Sequence, residues 1–431
     1  MEICGKREME LLEKIGFTRI AGSPEEEKAA QILKAECDAI GVPAIIEPFE
    51  IEQGIVEEAT LEILEPFQQE YPVTGYQCAE NTPEGGLTAE FVYVENATDV
   101  DLQDVQGKIV LVNGFMRVPL YKKLMKAGVA GIVTMEGELR DRREETDLST
   151  RKLRRTLRTF GNVPMVHTRV LDAMDMVRKG ACKARMVLKG RTEERTSHNV
   201  VATVLGTQRP QEILSFGAHY DSVAFSKGVY DNGAGSVINM EVLRYFKENP
   251  PKRTLKFMWY GSEEIGLEGS WAYVKAHKEE LADHLLMINV DVGGPILGHD
   301  GIAATAEDKL ATYLEYFVKI HGFSAEVKQG IYSSDSIPFA DSGIPGVNFT
   351  RFGAPGAAYI HNRFDTLDFL SADALAKTTR TVLAFAQEMA NAAVLPVERK
   401  IPQNMVDEVE KYLYKKELAE AGGCSRWAVN C

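Results

Sequence analysis

The rhythm of hydrophobic and polar positions divides this chain into three stretches. Residues 6–40 read as helical. Their second part, SPEEEKAAQILKAECDAIG, carries its own punctuation: Ser23 at the start, Pro24 in the first turn, acids directly after it, and Gly41 at the stop. PAIIEPFEI follows as a strand. From about 53 to 194 short strand-like runs alternate with turn residues: ATLEILEP, LTAEFVYV, GKIVLVNG, AGIVTM and ARMVLKG, with one clear helix near PLYKKLMKAG. From 198 onward the pattern is strand, loop, helix, repeated. The apolar runs EILSFGAH, TLKFMWYG, LLMINVDV and IPGVNFTRF alternate with amphipathic helices such as GAGSVINMEVLRYFKEN, SWAYVKAHKEELAD and DKLATYLEYFVKIHG.

That alternation predicts an α/β fold, a mixed β-sheet flanked by helices on both faces. The middle texture predicts a β-rich domain inserted into it. The expected division is a discontinuous catalytic domain over 1–52 and 195–395, an insert over 53–194, and a C-terminal helical tail over 396–431. Within the insert, ELRDRREETDLSTRKLRRTLR is highly charged. Its plain reading is a solvated loop or exposed helix. Its sharper reading is a basic lid whose Arg151, Lys152, Arg154, Arg155 and Arg158 attract a peptide carboxylate.

Composition narrows the class. The chain has 431 residues, 45% hydrophobic and 26% charged, an ordinary globular balance for more than one core. The net charge of −14 lacks the basic excess of a nucleic-acid binder. No run approaches the roughly 18 apolar residues of a membrane span, and the N-terminus lacks the apolar core of a signal peptide. Neither nucleic acid nor membrane is an expected partner, and the expected location is the cytoplasm. Six cysteines occur, at 4, 37, 78, 182, 424 and 431, without a CxxC pair. The expectation is free thiols, with a Cys424–Cys431 bridge as the alternative.

Four apolar runs end in potential metal ligands. EILSFGAH delivers His219, TLKFMWYGS delivers Glu263 and Glu264, LLMINV delivers Asp291, and IPGVNFTRFG leads through a short loop to His361. In open α/β sheets functional groups gather beyond the carboxyl ends of the strands. Asp231 stands in YDNGAG just before a helix. Taken singly, each has a plainer reading: a structural histidine, a helix N-cap, a solvated Glu pair. Together, two histidines and three carboxylates suit two zinc ions, each with three protein ligands, if Asp231 bridges. His219 and Asp291 then complete one site, Glu264 and His361 the other, with a shared hydroxide between metals roughly 3.5–4 Å apart. Glu263 is left free as general base. Asp221 is placed to hold the second ring nitrogen of His219. The other histidines, at 167, 198, 277, 284, 299 and 321, read as ordinary surface or core residues. HExxH, GxSxG, Walker A and a complete GxGxxG are absent, which removes the main support for competing hydrolase and nucleotide-binding classes.

GAHYDSV, YDNGAGS, YGSEEIGLEGS, NVDVGG and IHNRFDTLD together resemble the co-catalytic zinc aminopeptidases of the aminopeptidase Y and glutamate carboxypeptidase II type. The resemblance implies the same assignment: His219, Asp231, Glu264, Asp291 and His361 on two zinc ions, and Glu263 as base. GKIVLVNG, KAGVAGIVTM and VPMVHTRV resemble a protease-associated domain. The chain departs from the family in two places. Ile360 stands where many members have a carbonyl-steadying tyrosine, which makes Tyr359, one residue earlier, a candidate donor. Asp335 in SSDSIPF lacks the histidine that often follows it. The expected activity is an exopeptidase, foremost an aminopeptidase acting on peptides. The alternatives are a single-zinc glutaminyl cyclase and a receptor-like binding protein on an inactive peptidase fold. The oligomeric state is left open, a homodimer being one option.

Overall fold

The computed structural model describes residues 3–422. It divides into two compact units, Met1–Ile51 with Thr196–Leu413, and Glu52–Arg195 with the segment from Tyr414. The stretch after residue 395, expected as one tail, is shared between them: helix Gln403–Tyr412 lies in the first unit and Lys415–Glu420 in the second. Cys424 and Cys431 lie outside the described residues, and the described cysteines are all free. No helix among the described residues is long and apolar enough to cross a membrane.

The helical region 6–40 consists of two helices, Gly5–Ile15 and Pro24–Ile40. The break falls in GFTRIAGS, where Gly22 takes φ 67. The second helix starts and stops where its signals stand: Ser23 Oγ accepts from the Glu26 amide, and Gly41 closes it at φ 85, a left-handed position that suits glycine. PAIIEPFEI and ATLEILEP are likewise not separate strands but parts of one, Ala44–Glu65.

The larger unit is built on a mixed sheet. Its strands lie in the order Ala325–Gln329, Gly298–Thr305, Gly346–Gly353, His284–Val290, Arg209–His219, Arg253–Tyr260 and the far half of Lys183–Val204. The four strands Arg209–His219, Arg253–Tyr260, His284–Val290 and Gly346–Gly353 are mutually parallel, so their carboxyl ends share one edge. Strands Gly298–Thr305 and Lys183–Val204 pair antiparallel to this block. All eight residues of Arg253–Tyr260 are buried, which is why the run reads as continuous apolar rather than alternating. The sequence reading missed Gly298–Thr305 and Ala325–Gln329. The first opens on Gly-His-Asp-Gly, and the second is a polar, partly exposed edge strand.

Both faces of this sheet are covered. Leu12, Leu33, Val237, Leu314 and Phe385, from five helices, close one face over Phe216, Phe257 and Ile288. Tyr273 and Phe339, from helices Glu268–Ala276 and Ser336–Asp341, close the other over Met258, Tyr260 and Met287. In the smaller unit, strands Ile109–Leu111, Gly131–Glu136 and Met165–Arg169 run parallel, flanked by helices Val118–Lys126 and Val170–Arg178. The latter helix was not anticipated from the pattern.

Candidate metal centre

The common edge of the four parallel strands concentrates the acids and histidines. His219 is the last residue of its strand. Asp291 directly follows Val290, and Glu263 and Glu264 follow the strand that ends at Tyr260. His361 comes from the loop after Gly353 and takes φ 59. Asp231 lies in the turn just before helix Ala234–Glu248.

Two triads of potential ligand atoms form there. His219, Asp231 and Asp291 offer atoms within 4.8 Å of one another, and so do Asp231, Glu264 and His361. The shared member divides its oxygens between them. Asp231 Oδ1 stands 3.2 Å from His219 Nε2, and Asp231 Oδ2 stands 3.0 Å from His361 Nε2. Asp291 Oδ1 lies 3.6 Å from His219 Nε2, and Glu264 Oε2 lies 3.1 Å from His361 Nε2. Each triad therefore presents one imidazole nitrogen and two carboxylates.

The positions are held from behind. Asp221 Oδ1 is 3.3 Å from His219 Nδ1, the ring nitrogen that faces away from the triad. The same carboxylate accepts from two successive amides, Glu263 N at 3.0 Å and Glu264 N at 3.2 Å. Asp221 thus ties the histidine of one triad to the Glu-Glu turn of the other. Asp365 does the equivalent for Asp231, accepting from the amides of Tyr230 at 2.8 Å and Asp231 at 3.2 Å. Asn232 bridges Gly235 N and Val292 N through its Oδ1 and donates to Val290 O, fixing the turn to the strand that delivers Asp291. Arg19 is fully buried beneath the loop between His219 and Asp231, donating to the carbonyls of Tyr220, Lys227 and Gly228.

The protein groups alone leave a surplus of negative charge. Desolvation pushes Glu263 well above the usual carboxylate range; Glu264, Asp335 and Asp291 push the same way, against His219. Burial lifts Asp335 and Asp365 to about 7. Burial alone would lower His361, but Glu264 and Asp231 drive it up to about 11. Desolvation opposes ionisation of Asp231, yet His219 and His361 outweigh it and hold its carboxyl below the ordinary value. Imidazoles drawn toward protonation among buried acids mark a place that a divalent cation would neutralise. One nitrogen and two carboxylates at each triad suit catalytic zinc, which takes three protein ligands.

Tyr359 is 46% exposed, and its ring lies 5.6 Å from that of Phe364. A second phenol, Tyr332, stands within electrostatic reach of these acids. Tyr332 is desolvated and feels the charges of Asp291, Asp231 and Glu263, which raise its pKa. GIYSSDS has no periodic or motif signal that would have marked it; only the fold brings it to the acids. Asp365 and Arg19 were likewise visible as residues but not as supports. The basic stretch is largely occupied within its own unit. Arg151 pairs with Glu136 at 2.6 Å, Arg155 with Glu52 at 3.6 Å, and Arg158 also with Glu52. Of the histidines set aside, His167 bonds Thr134 and Glu136, His284 bonds Ser215, and His321 pairs with Glu388.

Comparison with known proteins bears on this geometry. The family model of Peptidase family M28 matches residues 199–386. Aminopeptidase YwaD of Bacillus subtilis (strain 168) is 28% identical over 405 residues, covering 88% of this chain and 82% of that one. Carboxypeptidase Q of Homo sapiens is 25% identical over 320 residues, covering 71% of this chain and 67% of that one. Among solved structures, BSAP, a zinc aminopeptidase from Bacillus subtilis, superposes with a TM-score of 0.75 at 23% identity, covering 93% of this chain and 100% of that one.

Proposed function

We propose that this metallopeptidase, whose residues 199–386 match the family model of Peptidase family M28, is an aminopeptidase working with two zinc ions. The observation that carries this reading is the split of the Asp231 carboxylate, one oxygen toward His219 and the other toward His361. A bridging carboxylate between two three-ligand sets is what a pair of metals requires. His219, Asp231 and Asp291 would hold one zinc, and Asp231, Glu264 and His361 the other. When bound, the zincs supply Lewis-acid polarisation of the scissile carbonyl and a more acidic attacking water.

The remaining chemistry belongs to side chains. Glu263 takes the proton from the attacking water and returns it to the leaving amine. Its backbone amide is pinned by Asp221, so its carboxyl stays beside the ligand Glu264. Asp221 also holds the His219 ring in the orientation that turns Nε2 toward the triad. For the oxygen that gains charge in the tetrahedral state, we favour Tyr332 as donor over Tyr359, because Tyr332 lies in the field of Asp231, Asp291 and Glu263. The surrounding acids favour a substrate ammonium, which supports cleavage from the amino end, the activity in the name of YwaD. The smaller unit we read as a protease-associated-like domain, on its parallel strands joined through short helices.

The test is direct. Zinc-loaded protein should carry about two zincs per chain, lose activity on chelation, and release N-terminal residues from free but not N-blocked peptides. Full activity with one tightly bound zinc would overturn the two-metal reading. Release from the carboxyl end of N-blocked peptides would overturn the aminopeptidase reading.

A further inference from the structure

Glu26 lies well outside the span that matches the family and outside every motif that marked the metal centre. It occupies the third position of helix Pro24–Ile40, where a glutamate ordinarily returns to the helix start and caps it. Half of it does so: Oε2 accepts from Gly22 N at 2.7 Å. The other oxygen faces elsewhere. Oε1 accepts from Ser197 Oγ at 2.9 Å and from Ser262 Oγ at 3.1 Å, and Ser262 Oγ also reaches Ser197 Oγ at 2.8 Å. Glu26, Ser197 and Ser262 are all fully buried. A capping glutamate gains nothing from burial, which costs free energy and lifts this carboxyl to about 8.

Ser262 is the residue where the chain leaves its strand for the Glu263–Glu264 pair. It takes φ 58, a left-handed conformation that strains an L-residue and needs a compensating contact. The turn is tight beside it. A Cβ on Gly261 would meet Ser197 Oγ at 2.6 Å and Glu26 Oε1 at 2.8 Å, so glycine is the residue that lets Glu26 approach. Ser262 O then accepts from Glu268 N at 3.1 Å, and Glu263 O accepts from Gly266 N and Leu267 N, both at 2.8 Å. The turn is therefore gripped from two sides: Asp221 takes the amides of Glu263 and Glu264, and Glu26 takes the hydroxyl of Ser262.

We propose that Glu26 is a positioning residue for the reaction: through the Ser262 hydroxyl it fixes the left-handed turn that aims Glu263 at the attacking water and Glu264 at its metal. The inference rests on the reading of Glu263 as base and Glu264 as ligand. A misplacement of about 1 Å at such a site costs roughly 10²-fold in rate.

The experiment uses zinc-loaded full-length protein, an aminoacyl substrate, and zinc content and circular dichroism measured on each variant. Glu26→Ala and Ser262→Ala should each lower kcat about 10- to 100-fold with KM within about 2-fold. Glu26→Gln keeps an acceptor toward both hydroxyls but turns an amide donor against Gly22 N, so its kcat should fall between the parent and Glu26→Ala. Adding Ser262→Gly to Glu26→Ala should recover most of the lost kcat, because glycine takes the left-handed turn without an anchor. Rescue is the decisive readout, since a glutamate that only caps its helix would not be replaced by a glycine in a distant turn. Wild-type kcat in Ser262→Ala would overturn the proposal, and so would a loss in Glu26→Ala that Ser262→Gly leaves unchanged. If Glu26→Ala does not fold, Ser262→Ala alone decides. Glu263→Gln run in parallel separates the two failures: if it turns over normally the base assignment falls, whereas if it is inactive and the Glu26 and Ser262 variants are normal only the positioning role falls.

Discussion

The two units use the same charged residues in opposite ways. In the larger unit, carboxylates are drawn into the interior: Asp221, Asp231, Asp291 and Asp335 are buried, and so are Glu8 and Glu26 on the first two helices. In the smaller unit, Glu57, Glu58, Glu62 and Glu65 pair with Arg191, Lys189, Arg185 and Lys183 across neighbouring strands. As one index rises the other falls, so these strands run antiparallel and the pairs form a ladder. The ladder is open to solvent, where high dielectric and salt leave each pair little energy. The buried acids sit where interaction energies are several times larger and where leaving a group unpaired is costly. Charge serves solubility and register in one unit and chemistry in the other, and substitutions should separate the two by orders of magnitude.

The largest effects belong at the centre. Glu263→Gln should keep both zincs yet lower kcat by about 10²–10⁴-fold, since it removes a positioned acid and base. Glu264→Gln should instead lose one zinc. Elemental analysis beside turnover distinguishes them, and exchanged phenotypes would reverse the assignment within the pair.

Tyr332→Phe should come next, lowering kcat about 10- to 10³-fold with zinc content unchanged, as expected for one donor to the developing oxyanion. Tyr359→Phe serves as the contrast and should change kcat by less than about 3-fold. If Tyr359→Phe carries the larger loss, the donor is the exposed phenol.

Smaller, and visible only in stability, is the effect of a buried acid remote from the centre. Burial raises Glu8 to about 8 from 4.5, with Glu241 adding to it and Thr379 opposing. Between those values the native state holds a proton that the unfolded chain releases. Stability therefore falls as pH rises from about 4.5 to 8 and levels above. Glu26, also at about 8, adds a slope of the same sign. Glu8→Gln should flatten the curve of unfolding free energy over that window by up to a few kcal/mol, measured by denaturant titration at several pH values. An unchanged slope would show that Glu8 titrates normally.

The smallest change is expected in the ladder. Lys189→Ala removes a partner 2.6 Å from Glu58, where both side chains are about half exposed. The melting temperature should move by no more than about 2 °C, and by less in high salt. A larger shift would mean that the ladder bears on the fold of its unit as the buried acids bear on theirs.

The common edge of the candidate centre was legible from residue order because His219, Glu263, Glu264 and Asp291 stand at or just past the ends of locally encoded strands. EILSFGAH, TLKFMWYG and LLMINV are apolar runs that form parallel strands, and such strands place whatever follows them at one edge. Ser23 and Gly41 marked a helix for the same local reason. What lay outside local pattern came from pairing across the chain. The strand order, with Gly298–Thr305 inserted antiparallel beside Gly346–Gly353, is set by which edges meet. The two-sided reach of Asp231 depends on Asp365, 134 residues away, accepting from its amide. Tyr332 comes into the field of the acids, and Glu26 meets Ser262 across 236 positions, only in the folded chain. The sequence by itself determined most of the elements, the candidate ligand residues and the edge that four of them share, since these follow from residues near one another in the chain. The tertiary structure alone decided which acids are buried together and which residues hold them, because desolvation and hydrogen bonding act between groups that only folding brings within a few ångströms.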